Sequence, residues 1–132
     1  MSTIQAAVMT EPGTIELHDF PRPEIGDDEI LLKVERTGIC GSDKHMFAGH
    51  MALQFPIIAG HELIGTIEEM GPKATDEMAI VGGPVAVGDR ITTTPSSTVC
   101  GKCWYCLHMP QRPTLCANRY VHGFVSSEAA PA

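Results

Sequence analysis

The chain has 132 residues, with nine Lys and Arg against sixteen Asp and Glu, for a formal net charge of −7. This length supports one hydrophobic core and is too short for two ordinary domains. The acidic balance, with basic residues scattered rather than striped, argues against nucleic acid or an anionic membrane as partner.

Met1 to Phe20 hold no Lys or Arg and no apolar run long enough for a signal peptide or a membrane span. The expected location is the cytoplasm, where thiols stay reduced. Ile4 to Met9 and Thr14 to Asp19 are short extended segments separated by the turn signal Glu11-Pro12-Gly13, and together they predict a hairpin. In Glu29 to Thr37, Ile30, Leu32 and Val34 alternate with Leu31, Lys33 and Glu35, which predicts a strand buried mainly on one face. Ser42 is placed to cap a helical turn running to Phe47.

Leu63 to Met70 reads as a strand ending at Gly71-Pro72, followed by a surface loop over Lys73 to Val85. Arg90 to Thr94 is another strand, introduced by Val87-Gly88-Asp89, and Ser126 to Ala132 reads as a frayed or cut terminus. There is no internal repeat and no low-complexity tract. Many short strands divided by Gly and Pro predict a mainly β chain, a barrel or sandwich with short helical turns.

The five cysteines divide four and one. Cys100, Cys103 and Cys106 stand at successive x-x spacings, and Cys116 returns from the following loop as a fourth. Four thiolates make a tetrahedral zinc cage with no open position, a structural site. A disulfide pair and a redox Cys-x-x-Cys are the alternatives. The polar, Pro-containing loop context and the apparently reduced setting favour metal. The lobe is placed at residues 96–120, with His108 as an alternative ligand to one sulfur.

Cys40 stands apart, in Gly38-Ile39-Cys40-Gly41-Ser42-Asp43, and twenty-one residues later comes Gly60-His61-Glu62. A Cys, a His and a carboxylate with room for solvent are a catalytic zinc set. Taken singly, an isolated Cys is a small core residue and a His-Glu pair is a surface pair.

Taken together, Gly38 to His45, Gly60-His61-Glu62, Gly88-Asp89-Arg90 and the four-cysteine lobe follow the order and approximate spacing of the zinc-dependent alcohol dehydrogenases of the medium-chain dehydrogenase/reductase family. The chain resembles that family from about Ala6 to Gly123. The resemblance implies a GroES-like, partly open β-barrel with a cysteine-rich zinc lobe. It implies that Cys40, His61 and Glu62 hold a catalytic zinc and that Cys100, Cys103, Cys106 and Cys116 hold a structural one. Ser42 then takes the proton of the substrate alcohol, His45 stands at the solvent end of the relay, and Asp43 orients His61; His50 reads as a plain loop residue. Ser42, Phe47 and a residue among Thr93 to Pro95 are the expected pocket walls.

Three departures shape the expectation. The Cys106–Cys116 spacer, Leu107 to Leu115, is longer than the usual family pattern. The family's remaining catalytic-zinc ligand would lie beyond Ala132. No Gly-x-Gly-x-x-Gly opens a βαβ unit, and proline disqualifies Val81-Gly82-Gly83-Pro84. The expectation is therefore an amino-terminal catalytic-domain portion lacking the Rossmann NAD(P) domain and inactive alone. The implied whole is a homodimer or homotetramer that moves hydride between an alcohol, polyol or carbonyl substrate and NAD or NADP. Another hydroxyl-bearing metabolite, a sugar or an amino acid, is the alternative substrate. A zinc-stabilised binding or assembly module without catalysis is the alternative function.

Overall fold

The computed structural model describes residues 3–78, 80–95 and 99–124. In chain order it runs through β1 (Thr3–Glu11), β2 (Thr14–Pro21), β3 (Ile30–Thr37), α1 (Gly41–Phe47), β4 (Ile57–Ile58), β5 (Leu63–Met70), α2 (Ala74–Glu77), β6 (Arg90–Thr92), α3 (Trp104–His108) and a 3-10 turn (Pro113–Leu115). The strands form two antiparallel three-stranded sheets, ordered β2-β1-β4 and β3-β5-β6. Among the described residues no ladder joins the two sheets, so the mainly β fold with short helices forms and is not closed, consistent with the partly open barrel that the resemblance implies. No described helix is long and apolar enough to cross a membrane.

The β1–β2 hairpin pairs Val8 with Glu16 and Met9 with Ile15 before a register shift leads into the turn, where Gly13 takes φ 85°. Val8 and Met9 also pair with Ile58 and Ile57 of β4. Val8, Met9, Ile57, Ile67 and Met46 of α1 are buried and form the core. Apolar burial of this kind is worth roughly 1.5–3 kcal/mol per large side chain.

Several local expectations need correction. In β3 the one-sided burial fails: Ile30, Leu31 and Leu32 are all half-buried, while Val34 is 54% exposed. Register shifts against β5 at Leu31/Leu32 and Val34/Arg36 break the alternation, because each bulge turns the following side chains. β6 stops at Thr92 rather than Thr94.

The supposed loop after Lys73 begins with α2, whose Ala74 is fully buried. Its approach is fixed by Gly71 N–H donating to the Glu29 carbonyl at 2.9 Å and Lys73 N–H to the Asp27 carbonyl at 2.7 Å. Ser42 is not the cap of α1. That position belongs to Cys40, whose amide donates to Asp43 Oδ2 at 2.6 Å, so Ser42 lies inside the first turn. Ser126 to Ala132 and residues 96–98 of the cysteine lobe lie outside the described residues.

The β3–β5 ladder positions the site. Its last pair is Thr37 with Leu63, and just beyond it Gly38 N–H donates to the Glu62 carbonyl at 2.7 Å. Cys40, soon after β3, and His61, just before β5, are thereby brought side by side.

Candidate metal centres

The four-cysteine lobe is built on two turns. Cys103 is the N-cap of α3, and Cys106 lies within that helix. The long spacer folds into the end of α3 and the 3-10 turn, held by Arg112 N–H to the Met109 carbonyl at 2.9 Å and Cys116 N–H to the Pro113 carbonyl at 3.0 Å. Cys116, 6% exposed, is returned beneath Cys100. The Sγ separations are 3.5 Å for Cys103–Cys106, 3.6 Å for Cys100–Cys116 and 4.0 Å for Cys100–Cys106. Sulfurs at tetrahedral corners about 2.3 Å from zinc stand about 3.8 Å apart. The observed spacings bracket that value, and all five cysteines are free thiols.

The sulfurs sit among amide donors. The Lys102 backbone N–H is the main cause that brings the Cys100 thiol down to about 6, and the Ala117 amide lowers Cys103. Burial, reinforced by the neighbouring thiols, pushes Cys106 up to about 12. Three of the four thiols thus interact in one crowded cluster, whose thiolate charge a divalent cation would offset in part. Asn118 Nδ2, 3.8 Å from Cys100 Sγ, also donates into the cluster. Sequence reasoning passed over Asn118, because nothing marks a lone Asn two positions after a cysteine. His108 does not join the sulfurs. Its Nδ1–H donates to the Trp104 carbonyl at 2.9 Å and its ring stacks on Trp104 at 4.8 Å.

At the second centre the ligand atoms of Cys40, His61 and Glu62 all lie within 4.8 Å of one another. His61 is buried, Cys40 half-buried and Glu62 exposed. Asp43 Oδ2 is fixed by the Cys40 amide, which leaves Oδ1 facing His61 Nδ1 at 3.5 Å. Both atoms are buried and lack a hydrogen bond of ordinary geometry. A carboxylate only accepts, so this arrangement puts the imidazole proton on Nδ1 and leaves the Nε2 lone pair for a cation. Ser42 Oγ lies 3.3 Å from Nε2. The donor set therefore fits zinc: a thiolate, an imidazole with a carboxylate behind it, and a second carboxylate.

Glycines hold this centre close. A Cβ on Gly38 would stand 2.8 Å from Glu62 Oε2, and Gly60, at φ 118°, admits no side chain against Thr37. Gly123 packs on the Gly60 backbone, and Phe124 then meets the His61 ring edge-on at 5.0 Å. Sequence reasoning missed Phe124; the glycine before it was the available signal.

His45, in the last turn of α1, is exposed. His50, expected as a plain loop residue, is also exposed and has its Nδ1 3.3 Å from that of His45. An open groove of about 440 Å³ runs past Glu62, lined by Thr37, Leu63, Thr93 and Pro95 among others. Thr93 and Pro95 stand where a pocket wall was expected, whereas Ser42 and Phe47 do not line this groove.

Residues 26–130 match the family model of the alcohol dehydrogenase GroES-like domain. The chain is 37% identical over 105 residues to a sorbitol dehydrogenase of Halalkalibacterium halodurans, covering 78% of this chain and 28% of that protein. It is 40% identical over 101 residues to an L-threonine 3-dehydrogenase of Streptomyces coelicolor, covering 74% of this chain and 27% of the relative. A protein of Sinorhizobium meliloti, provisionally described as a zinc-binding dehydrogenase and solved with NADP, superposes with a TM-score of 0.77 at 33% identity. That superposition covers 96% of this chain and 34% of the other. The chain thus spans between a quarter and a third of the length of the curated relatives it matches. By motif order, fold and this match, the chain belongs to the alcohol dehydrogenase GroES-like domain family.

Proposed function

We propose that these residues form the metal- and alcohol-binding portion of a zinc-dependent oxidoreductase that moves hydride between an alcohol or polyol and NAD(P). The observation that carries the reading is the convergence of Cys40, His61 and Glu62 within 4.8 Å, with Asp43 behind the imidazole. Bound zinc supplies Lewis acidity there, acidifying an alcohol or polarising a carbonyl.

The chain's own residues do the rest. Asp43 holds His61 in one orientation and stabilises positive charge on its Nδ1 side. Ser42, fixed in the first turn of α1, receives the alcohol proton and passes it on without acting as a strong base. His45, exposed on the last turn of the same helix, delivers it to solvent. Cys100, Cys103, Cys106 and Cys116 hold a second zinc that fixes the lobe.

On this reading the nicotinamide site and a remaining zinc ligand lie outside these residues, in a cytoplasmic homodimer or homotetramer. Substrates such as sorbitol or threonine, named for the relatives, set the class: a small hydroxyl-bearing metabolite. One observation favours the alternative of a zinc-stabilised module: the four-sulfur site is complete, whereas the other set has three donors with Glu62 exposed.

Alcohol-dependent NAD(P)H formation separates the two. The whole protein should show it and lose it in Cys40→Ala and His61→Ala, with the lobe zinc retained, and the isolated chain should show none. Undiminished turnover in those variants would sink the assignment.

A further inference from the structure

His45 and His50 belong to neither ligand set. The turn between them is fixed by its backbone: His50 N–H donates to the His45 carbonyl at 2.9 Å, and Gly49 takes φ 72°. The two exposed rings are thereby brought to 5.6 Å between centroids, with Nδ1 facing Nδ1 at 3.3 Å. In the metal-free pair the Nδ1–H of one ring donates to Nδ1 of the other, and a cation that displaces this proton would sit to one side of the N···N line, within reach of both lone pairs.

Metal–nitrogen bonds of about 2.0–2.1 Å put adjacent ligand nitrogens about 2.9 Å apart at a right angle and about 3.4 Å apart at the tetrahedral angle. The observed 3.3 Å lies between these limits. We propose that His45 and His50 form a surface site for a divalent transition ion such as Ni²⁺, Cu²⁺ or Zn²⁺, bound through both Nδ1 atoms. Among the described residues no third His, Cys, Asp or Glu donor joins them. The site therefore takes an ion that keeps other ligands, water or a small chelator, unlike the closed four-sulfur cage.

The test uses Ni²⁺-nitrilotriacetate, whose chelator leaves two adjacent positions open and keeps the ion out of a closed thiolate cage. The zinc-loaded chain should bind one such complex. His45→Asn and His50→Asn should each weaken binding on the order of a hundredfold, because one remaining donor loses the advantage of the pair. His18→Asn, at an exposed His that pairs with Glu16 instead, should change nothing. Zinc retained by the lobe in each variant confirms folding. Equal binding by the wild-type chain and both pair variants overturns the proposal.

Discussion

Asp43 joins the two halves of the Cys40–His61 centre: one carboxylate oxygen accepts the Cys40 amide at 2.6 Å and the other faces His61 Nδ1 at 3.5 Å. The carboxylate that accepts the cap amide of helix α1 is thus also the one that faces the imidazole. Removing its charge should weaken metal binding without dismantling the fold. Asp43→Asn, which can still cap, should lower Co²⁺ or Zn²⁺ affinity at Cys40, His61 and Glu62 on the order of 10–100-fold. Asp43→Ala should also cost about 1 kcal/mol of stability through the lost cap. Unchanged affinity in Asp43→Asn would show that the facing pair has no part in metal binding.

The lobe makes a sharper prediction. Cys106→Ser or Cys116→Ser should abolish the tightly retained zinc and lower the melting temperature, as chelation should in the wild-type chain. His108→Ala should leave that zinc in place, since its Nδ1 is already committed to the Trp104 carbonyl. Elemental analysis after dialysis reads both outcomes.

Gly123 and Gly13 both have positive φ, at 71° and 85°, but only Gly123 is crowded. Its Cβ would stand 2.6 Å from the Gly60 carbonyl oxygen, whereas nothing lies within 4 Å of one on Gly13. Gly13→Ala should cost about 1 kcal/mol and Gly123→Ala about 2–3 kcal/mol or more. Urea midpoints at constant slope measure the difference. Equal losses would mean that the contact with Gly60 is not maintained.

Burial holds the His122 imidazole below its ordinary value of 6.5. The unfolded chain therefore binds the proton first as pH falls, so the favourable contribution of His122 is whole above about pH 6.5 and declines below it. His122→Asn should flatten the acid side of the stability profile relative to wild type. Parallel profiles for the two proteins would count against a half-buried His122 held neutral.

The sequence was most informative where few residues in a row decide the geometry. The spacing of Cys100, Cys103 and Cys106 is local, so a turn and a short helix suffice to gather their sulfurs. The hairpin was legible for the same reason. Bringing Cys40 to His61 needs the long-range register that ends at Thr37 and Leu63, and only the motif order hinted at it.

The two-residue β4 carries no periodicity to read, and it exists because β1 has a free edge at Val8 and Met9. The bulges of β3 hid its true faces. A serine is the usual cap, so the sequence points to Ser42 at the start of α1, while the structure uses the Asp43 carboxylate on the Cys40 amide. His50 meets His45 only because Gly49 turns the chain after the helix, a tertiary consequence of one glycine.

One chain should hold two thiolate-containing metal sites, one closed and one open. Titrating the metal-free, reduced chain with Co²⁺ and counting ions by thiolate charge-transfer absorption tests it directly, because histidine-only sites do not contribute to that band. Two ions per chain are expected, one tight and one weaker, with the weaker lost in Cys40→Ala and the tighter in Cys106→Ser. A single ion, unchanged in number and affinity by Cys40→Ala, would contradict it.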